Sequence, residues 1–130
     1  MSIVFVGAWG SWLSAIVHIM HSLHINDLIC IDASETETMK SFHNLWITTY
    51  IWHGIYKVTP EDIVIYSAAT PHSIEVQTAF SYIHTHRKAC VPMLYFEFLW
   101  EISKYLFTIA ISWTHGKSTT TWMTATTCIE

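Results

Sequence analysis

The sequence predicts an α/β protein: a Rossmann-like parallel sheet with helices on both faces, followed by the first strand and phosphate-loop helix of a second, truncated domain. Three observations carry this. Short runs that are apolar throughout, not alternating, recur along the chain, as strands buried on both faces do. Segments with helical spacing separate them, and such alternation builds parallel sheets through right-handed crossovers. Glycine-containing loops follow the first and the last of these runs.

In chain order, residues 3–6 form an apolar run that ends at Gly7 and reads as a buried strand. Residues 10–23 carry Leu13, Ile16, Val17, Met20 and Leu23 at helical spacing. Residues 28–31 are a second strand, ending at Asp32. Ser34 then stands as an N-cap, with Glu35 and Glu37 in a first turn whose dipole favours acids, and the helix runs to about Asn44. Residues 47–51 are a third strand, and Thr59-Pro60-Glu61-Asp62 is a turn. Residues 63–66 are a fourth strand leading into Ser67-Ala68-Ala69, and a helix opens at 71–73 and runs to about His84. Residues 89–94 are a fifth strand, 96–104 a helix and 106–111 a sixth strand, with a last helix from near Lys117. The domain boundary falls near Lys104, giving units 1–104 and 105–130. One strand and one helix cannot bury each other's apolar faces, so the chain reads as the N-terminal part of a longer protein.

At 52% hydrophobic and 12% charged over 130 residues, the chain can bury a real core as one domain with a modest extension. The net charge of −4 and the scattered Lys and Arg argue against a nucleic-acid surface. Cys30, Cys90 and Cys128 are far apart and lack zinc spacing, so they read as small apolar residues in a reducing compartment. The N-terminus has no basic region, and Gly7, Gly10 and Ser11 break its apolar stretch. Neither a signal peptide nor a membrane span is expected, and the protein reads as cytoplasmic.

The strongest local signal is the stretch Ser112-Trp113-Thr114-His115-Gly116-Lys117-Ser118-Thr119-Thr120-Thr121 after an apolar run. It is the arrangement of a phosphate-binding loop. Backbone N–H groups and the helix N-terminus cradle a polyphosphate, Lys117 neutralises it, and the Ser118 hydroxyl can reach Mg²⁺. The common form needs a glycine five residues before Gly116, and Ile111 stands there. At the other end, Gly7-Ala8-Trp9-Gly10-Ser11-Trp12-Leu13-Ser14-Ala15 joins the first strand to the first helix, where nucleotide-binding folds meet a diphosphate. On this pattern alone, a diphosphate turn and a plain strand–helix turn are equally supported.

Taken in order, these stretches resemble the Mur ligases. The last loop is similar to their Gly-Thr-His-Gly-Lys-[Ser/Thr]-Thr-Thr, with Trp113 at the first glycine. The first loop is similar to Gly-Ile-Gly-Gly-Ile-Gly-Met-Ser-Ala, with Trp9 and Trp12 on glycines. Asp32 to Thr38 resembles the acid after the second strand and the Ser-Glu-x-x-Thr that follows; Leu45-Trp46-Ile47 resembles Leu-Gly-Ile, and Ile51-Trp52-His53 resembles Ile-Gly-His. Asp62 to Pro71 resembles Asp-Val-Val-Val-x-Ser-Ser-Ala-Ile-Pro, and Val91-Pro92-Met93-Leu94 resembles Ile-Pro-Val-Leu. Leu13-Ser14-Ala15 and Ser67-Ala68-Ala69 fit the alanine-adding members best, with the murein-peptide ligases as the near alternative.

The resemblance implies a UDP-sugar-binding domain followed by the start of an ATP-binding domain. Its implied partners are UDP-N-acetylmuramate, ATP with Mg²⁺, and L-alanine, whose site lies outside this chain. The UDP-sugar would meet Gly7, Ala8, Trp9, Gly10, Ser11, Trp12, Ser14, Asp32, His53, Ser67 and Ala68. ATP would meet Trp113, Thr114, His115, Gly116, Lys117, Ser118 and Thr119, with Lys117 catalytic and Ser118 on the metal. The reaction implied passes through an acyl phosphate on the sugar's carboxylate, and these 130 residues alone are expected to bind UDP-sugar at most. The competing readings are a non-catalytic or dinucleotide-binding Rossmann module and a decayed gene piece.

Seven Trp against four Gly is unusual for a fold built on tight strand–helix turns. Trp9, Trp12, Trp46, Trp52 and Trp113 all fall where the resembled family has glycine. An indole at Trp9 or Trp113 would fill phosphate space, and at Trp12 it would push the first helix off the sheet. The expectation is that these codons are UGA read as glycine in the cell, with ordinary core tryptophans as the alternative.

Other candidates carry less. His18, His21 and His24 lie three apart on the first helix and read as surface histidines, not a metal site, and His84 and His86 read as solvated. Asp32 is equally a ligand contact or a helix cap. Glu97 and Glu101 read as a solvated face.

Overall fold

The computed structural model describes residues 1–86, 91–111 and 116–128. Its centre is β1 (Ile3–Val6), a buried run whose neighbours are β2 (Leu28–Asp32) and β4 (Ile63–Tyr66). β3 (Thr48–Ile51) pairs with β2, and β5 (Met93–Leu94) pairs with β4, so the sheet order is β3-β2-β1-β4-β5 and every pairing is parallel. In register, Ile3 stands opposite both Leu28 and Ile63, and the fully buried Phe5 opposite both Cys30 and Ile65.

The period of two along each strand divides the core. Phe5, Leu28, Cys30 and Ile65 face one layer, where α1 (Ser11–Ser22) contributes Leu13, Ile16, Val17 and Met20. The same layer takes Met39 and Phe42 from α2 (Glu37–Asn44) and Phe98 from α4 (Tyr95–Ser103). Val4, Val6, Ile29, Ile31 and Val64 face the other layer, against Val76 and Ala79 of α3 (Ile74–Thr85) and Val58 of the β3–β4 connection. The expected helices on both faces are therefore present, three on one side and one on the other among the described residues.

Several boundaries move for physical reasons. Thr36, not Ser34, caps α2: its hydroxyl accepts from the Met39 N–H at 3.3 Å, which satisfies one of the orphan donors of the first turn. Only residues 93–94 of the expected fifth strand are strand, while 89–90 lie outside the described residues. The expected sixth strand at 106–111 does not form. No strand stands beside it among the described residues to pair its backbone groups, and Phe107 is left 95% exposed. The last helix, α5 (Lys117–Cys128), begins at the expected place.

The starts of β1 and β4 are tied together by one buried carboxylate. Asp62 accepts from the Ser2 N–H at 2.9 Å, the Thr59 N–H at 2.9 Å and the Tyr56 hydroxyl at 3.0 Å. Burial opposes its ionisation, but these donors outweigh burial and hold the carboxyl below the usual range. Cys30 is buried and unpaired, and burial pushes its thiol well up; Cys90 and the Cys128 side chain lie outside the described residues. Among the described residues no helix is long and apolar enough to cross a membrane, and no cluster of His, Cys, Asp or Glu is built to hold a metal.

Candidate functional site

The candidate ligand residues gather at the C-terminal ends of β1, β2, β3 and β4, the edge where open α/β sheets place their ligands. Gly7 leaves β1 with φ of +80° and donates its N–H to the Ile31 carbonyl at 2.9 Å. A Cβ here would come within 3.1 Å of Thr70 Cγ2 and 3.3 Å of Ser67 Cβ, so space and backbone both demand glycine. Ala8 is buried in the core, which leaves its backbone, not its methyl group, to face a ligand. Trp9, Ser11 and Trp12 are exposed, and Gly10 is the N-cap of α1 without a side-chain cap. Ser14 turns inward on its own helix, its hydroxyl donating to the Ser11 carbonyl at 3.1 Å.

Asp32 is 3% exposed and its two oxygens are spent on the loops. One accepts from the Trp9 N–H at 3.1 Å and the other from the Ala33 N–H at 2.7 Å. Its main-chain carbonyl accepts from the Trp52 N–H at 2.7 Å. The helix-capping alternative for Asp32 is thus overturned, because the cap of α2 is Thr36. The role observed is to hold the β1 loop and the β3 loop in register with each other. Opposite them, the Ser67 N–H donates to the Val6 carbonyl at 3.1 Å, and Ser67 Oγ accepts from the Ala69 N–H at 3.0 Å. Ala68 is exposed at this turn.

His53 stands on a second buried carboxylate that the sequence reading did not single out. Glu75 is 1% exposed; one oxygen lies 2.9 Å from His53 Nδ1 and the other accepts from the Gly54 N–H at 2.6 Å. With a carboxylate as acceptor, Nδ1 carries the proton and Nε2 is the nitrogen that Glu75 does not use. In sequence Glu75 is only an acid in the first turn of α3, where the helix dipole explains it. Its burial depends on the β3 loop folding over it, which no local pattern signals. Beside it, Ser73 Oγ is buried without a hydrogen-bond partner at the N-cap of α3.

The second candidate loop is described only in part. Trp113, Thr114 and His115 lie outside the described residues. Gly116 has φ of +75°, and a Cβ built on it would meet nothing within 4 Å. Its carbonyl accepts from the Thr120 N–H at 3.0 Å, which starts α5, and Lys117, Ser118 and Thr119 are exposed in the first turn. Of the three histidines expected at the surface of the first helix, His18 is exposed with its ring 5.3 Å from that of Phe42, His21 is half-buried, and His24 is exposed but lies past the end of α1. His84, His86, Glu97 and Glu101 are exposed as well.

No protein-family model matches the chain. It is 32% identical over 132 aligned positions to UDP-N-acetylmuramate–L-alanine ligase of Pelodictyon phaeoclathratiforme, covering 99% of this chain and 26% of that protein. It is 30% identical to the enzyme of the same name from Chlorobium phaeobacteroides, covering 99% and 27%, and 31% identical to that of Sorangium cellulosum, covering 94% and 25%. The chain thus spans about a quarter of the length of the curated relatives it matches. Its fold is shared with the solved structure of UDP-N-acetylmuramate–alanine ligase from Thermotoga maritima, at a TM-score of 0.66 and 23% identity over 81% of this chain and 23% of that one. Along nearly its whole length, then, this chain is similar to a stretch making up about a quarter of the UDP-N-acetylmuramate–L-alanine ligases, and it shares the fold of the corresponding part of the solved one.

Proposed function

We propose that this chain is the UDP-sugar-binding part, and the start of the ATP-binding part, of a ligase that joins L-alanine to UDP-N-acetylmuramate in cytoplasmic peptidoglycan precursor synthesis. The observation that carries the reading is the likeness over 99% of the chain to proteins of that name. The loop geometry supports it. In this reading residues 1–104 form the sugar-binding unit and 105–130 open the ATP-binding unit.

The UDP-sugar lies across the strand ends. Gly7, Ala8, Trp9, Gly10, Ser11 and Trp12 form the diphosphate turn at the N-terminus of α1, and Ser14 steadies it from within the helix. Asp32 acts through the loops that it ties, Ser67 and Ala68 line the opposite turn, and His53 offers Nε2 as the group set by Glu75. The unpartnered Ser73 hydroxyl fits a site that takes a polar ligand at this edge.

The α5 turn fits a polyphosphate: a positive-φ glycine with open space beside it precedes a helix whose first turn carries Lys117 and Ser118. ATP would supply the phosphoryl group that activates the sugar's carboxylate for attack by the amine. Lys117 would place positive charge beside that group and Ser118 would hold Mg²⁺, with Trp113, Thr114, His115, Gly116 and Thr119 as the remaining ATP contacts of this reading. L-alanine and the rest of the ATP site belong to sequence outside this chain, so the chain alone turns over nothing. Calorimetric titration with UDP-N-acetylmuramate tests the reading, using the form with glycine at positions 9 and 12. Heat that saturates at micromolar to millimolar ligand is expected, and no heat at millimolar ligand counts against it. Binding of a nicotinamide dinucleotide instead would favour the dinucleotide-module reading.

A further inference from the structure

We infer that positions 9, 12, 46 and 52 are glycine positions of this fold, and that the protein made in its native cell carries glycine there. The backbone is the first ground. Trp46 has φ of +62° and Trp52 has φ of +83°, in a region that L residues with large side chains rarely adopt. The only other described non-glycine residues there are His24 and Asp27, both of types enriched in that region.

Trp46 follows the C-cap of α2, in a position with a known demand. Its N–H donates to the His43 carbonyl at 3.0 Å, and the Ile47 N–H donates to the Phe42 carbonyl at 3.0 Å. Those two bonds are the Schellman closure of a helix, with residue 46 at the left-handed site that is usually glycine. Ile47 and Phe42 share the core, so the hydrophobic contact that accompanies this closure is present too. The Trp46 indole is 96% exposed and contributes nothing to packing. Trp52 is 66% exposed, and its backbone is fixed by the bond from its N–H to the Asp32 carbonyl at 2.7 Å.

The β1 loop supplies the second ground. Gly7, Trp9 and Trp12 occupy the three positions of a G-x-G-x-x-G pattern between a strand and a helix, and Asp32 lies about 20 residues further on at the end of β2, as in dinucleotide-type folds. Trp9 and Trp12 are 59% and 68% exposed, so neither is a core residue. Trp12 does not displace α1, whose buried face stays seated, so the expected push off the sheet is not observed. Both belong to the turn whose backbone a phosphate would approach, where glycine leaves room and an indole does not. All four tryptophans are thus exposed, none is needed by the core, and each occupies a position for which glycine has a physical reason. A codon read as glycine in the cell and as tryptophan by the common bacterial reassignment explains all four at once.

At 46 and 52 this inference rests on backbone geometry and does not need the ligase reading, whereas at 9 and 12 it rests on the phosphate-turn pattern that the proposed function shares. Peptide masses of the protein isolated from its own cells, beside the gene's codons, test it: glycine at 9, 12, 46 and 52 encoded by TGA is expected, and tryptophan at 46 or 52 overturns it. Recombinant chains give a second readout without ligand. Trp46→Gly with Trp52→Gly should melt higher than the parent, while Trp46→Ala with Trp52→Ala, which removes the indoles but keeps a Cβ, should not. A glycine pair that melts no higher than the alanine pair overturns the inference. UDP-sugar binding is then measured separately, so its failure counts against the ligase reading and leaves the glycine assignment at 46 and 52 standing.

Discussion

Asp62 shows how much one side chain can organise. Its carboxylate collects three donors and joins the β1 and β4 ends to the turn before β4. Because its folded pKa is lowered, its contribution is full above the ordinary Asp value of 3.8 and is lost as pH falls through the lower folded value. Asp62→Asn should cost on the order of 2 kcal/mol near neutrality, since an amide cannot accept all three donors. Urea melts across the acid range check this: the variant should lose less stability on acidification than the parent. Gly7→Ala is expected to be worse than an ordinary loop change, because the new Cβ meets Thr70 at 3.1 Å and the backbone φ is +80°. A loss of roughly 1–3 kcal/mol is expected by thermal melting, and an unchanged melting temperature would show that the β1 turn yields. Glu75→Gln keeps the shape but removes the charge that holds His53 Nδ1. It should weaken UDP-N-acetylmuramate binding several-fold while the melting temperature falls by a few degrees at most.

At the scale of elements, α2 is the marginal one. It has eight residues, and the cap and two buried side chains, Met39 and Phe42, hold it in place. Thr36→Ala should cost about 1 kcal/mol, the usual worth of such a cap, and Ser34→Ala should cost close to nothing. Paired denaturant titrations of the two variants separate the observed cap from the one the sequence pattern favoured. Phe42→Ala should cost about 3–5 kcal/mol, because a fully buried ring leaves a cavity under the sheet. The expected strand at 106–111 shows the limit of element reading. Its apolar run is a strand-like pattern, but a strand exists only where a neighbour accepts its backbone bonds.

For the whole molecule, the division into two units remains a proposal with a direct consequence. The 130-residue chain with glycine at positions 9 and 12 should show no alanine-dependent ATP hydrolysis, whereas it should bind UDP-N-acetylmuramate. Phosphate-release and calorimetric assays on the same preparation check both halves of that statement. If the chain hydrolyses ATP in an alanine-dependent way, the assignment of the amino-acid site outside it is wrong.

What could be read from residues alone follows from periodicity. The apolar runs at 3–6, 28–31 and 63–66 became β1, β2 and β4 because burial on both faces leaves no alternative to a continuous apolar strand. The helical spacing of Leu13, Ile16, Val17 and Met20 named the buried face of α1, and Gly7 marked the turn. Local chemistry of this kind is written in neighbouring residues. The placement of Asp32 across two loops, the burial of Glu75 under His53 and the left-handed backbone at Trp52 depend on residues far apart in the chain meeting at one edge. Those were settled only by the tertiary fold, because a hydrogen bond between distant segments has no periodic trace in the sequence.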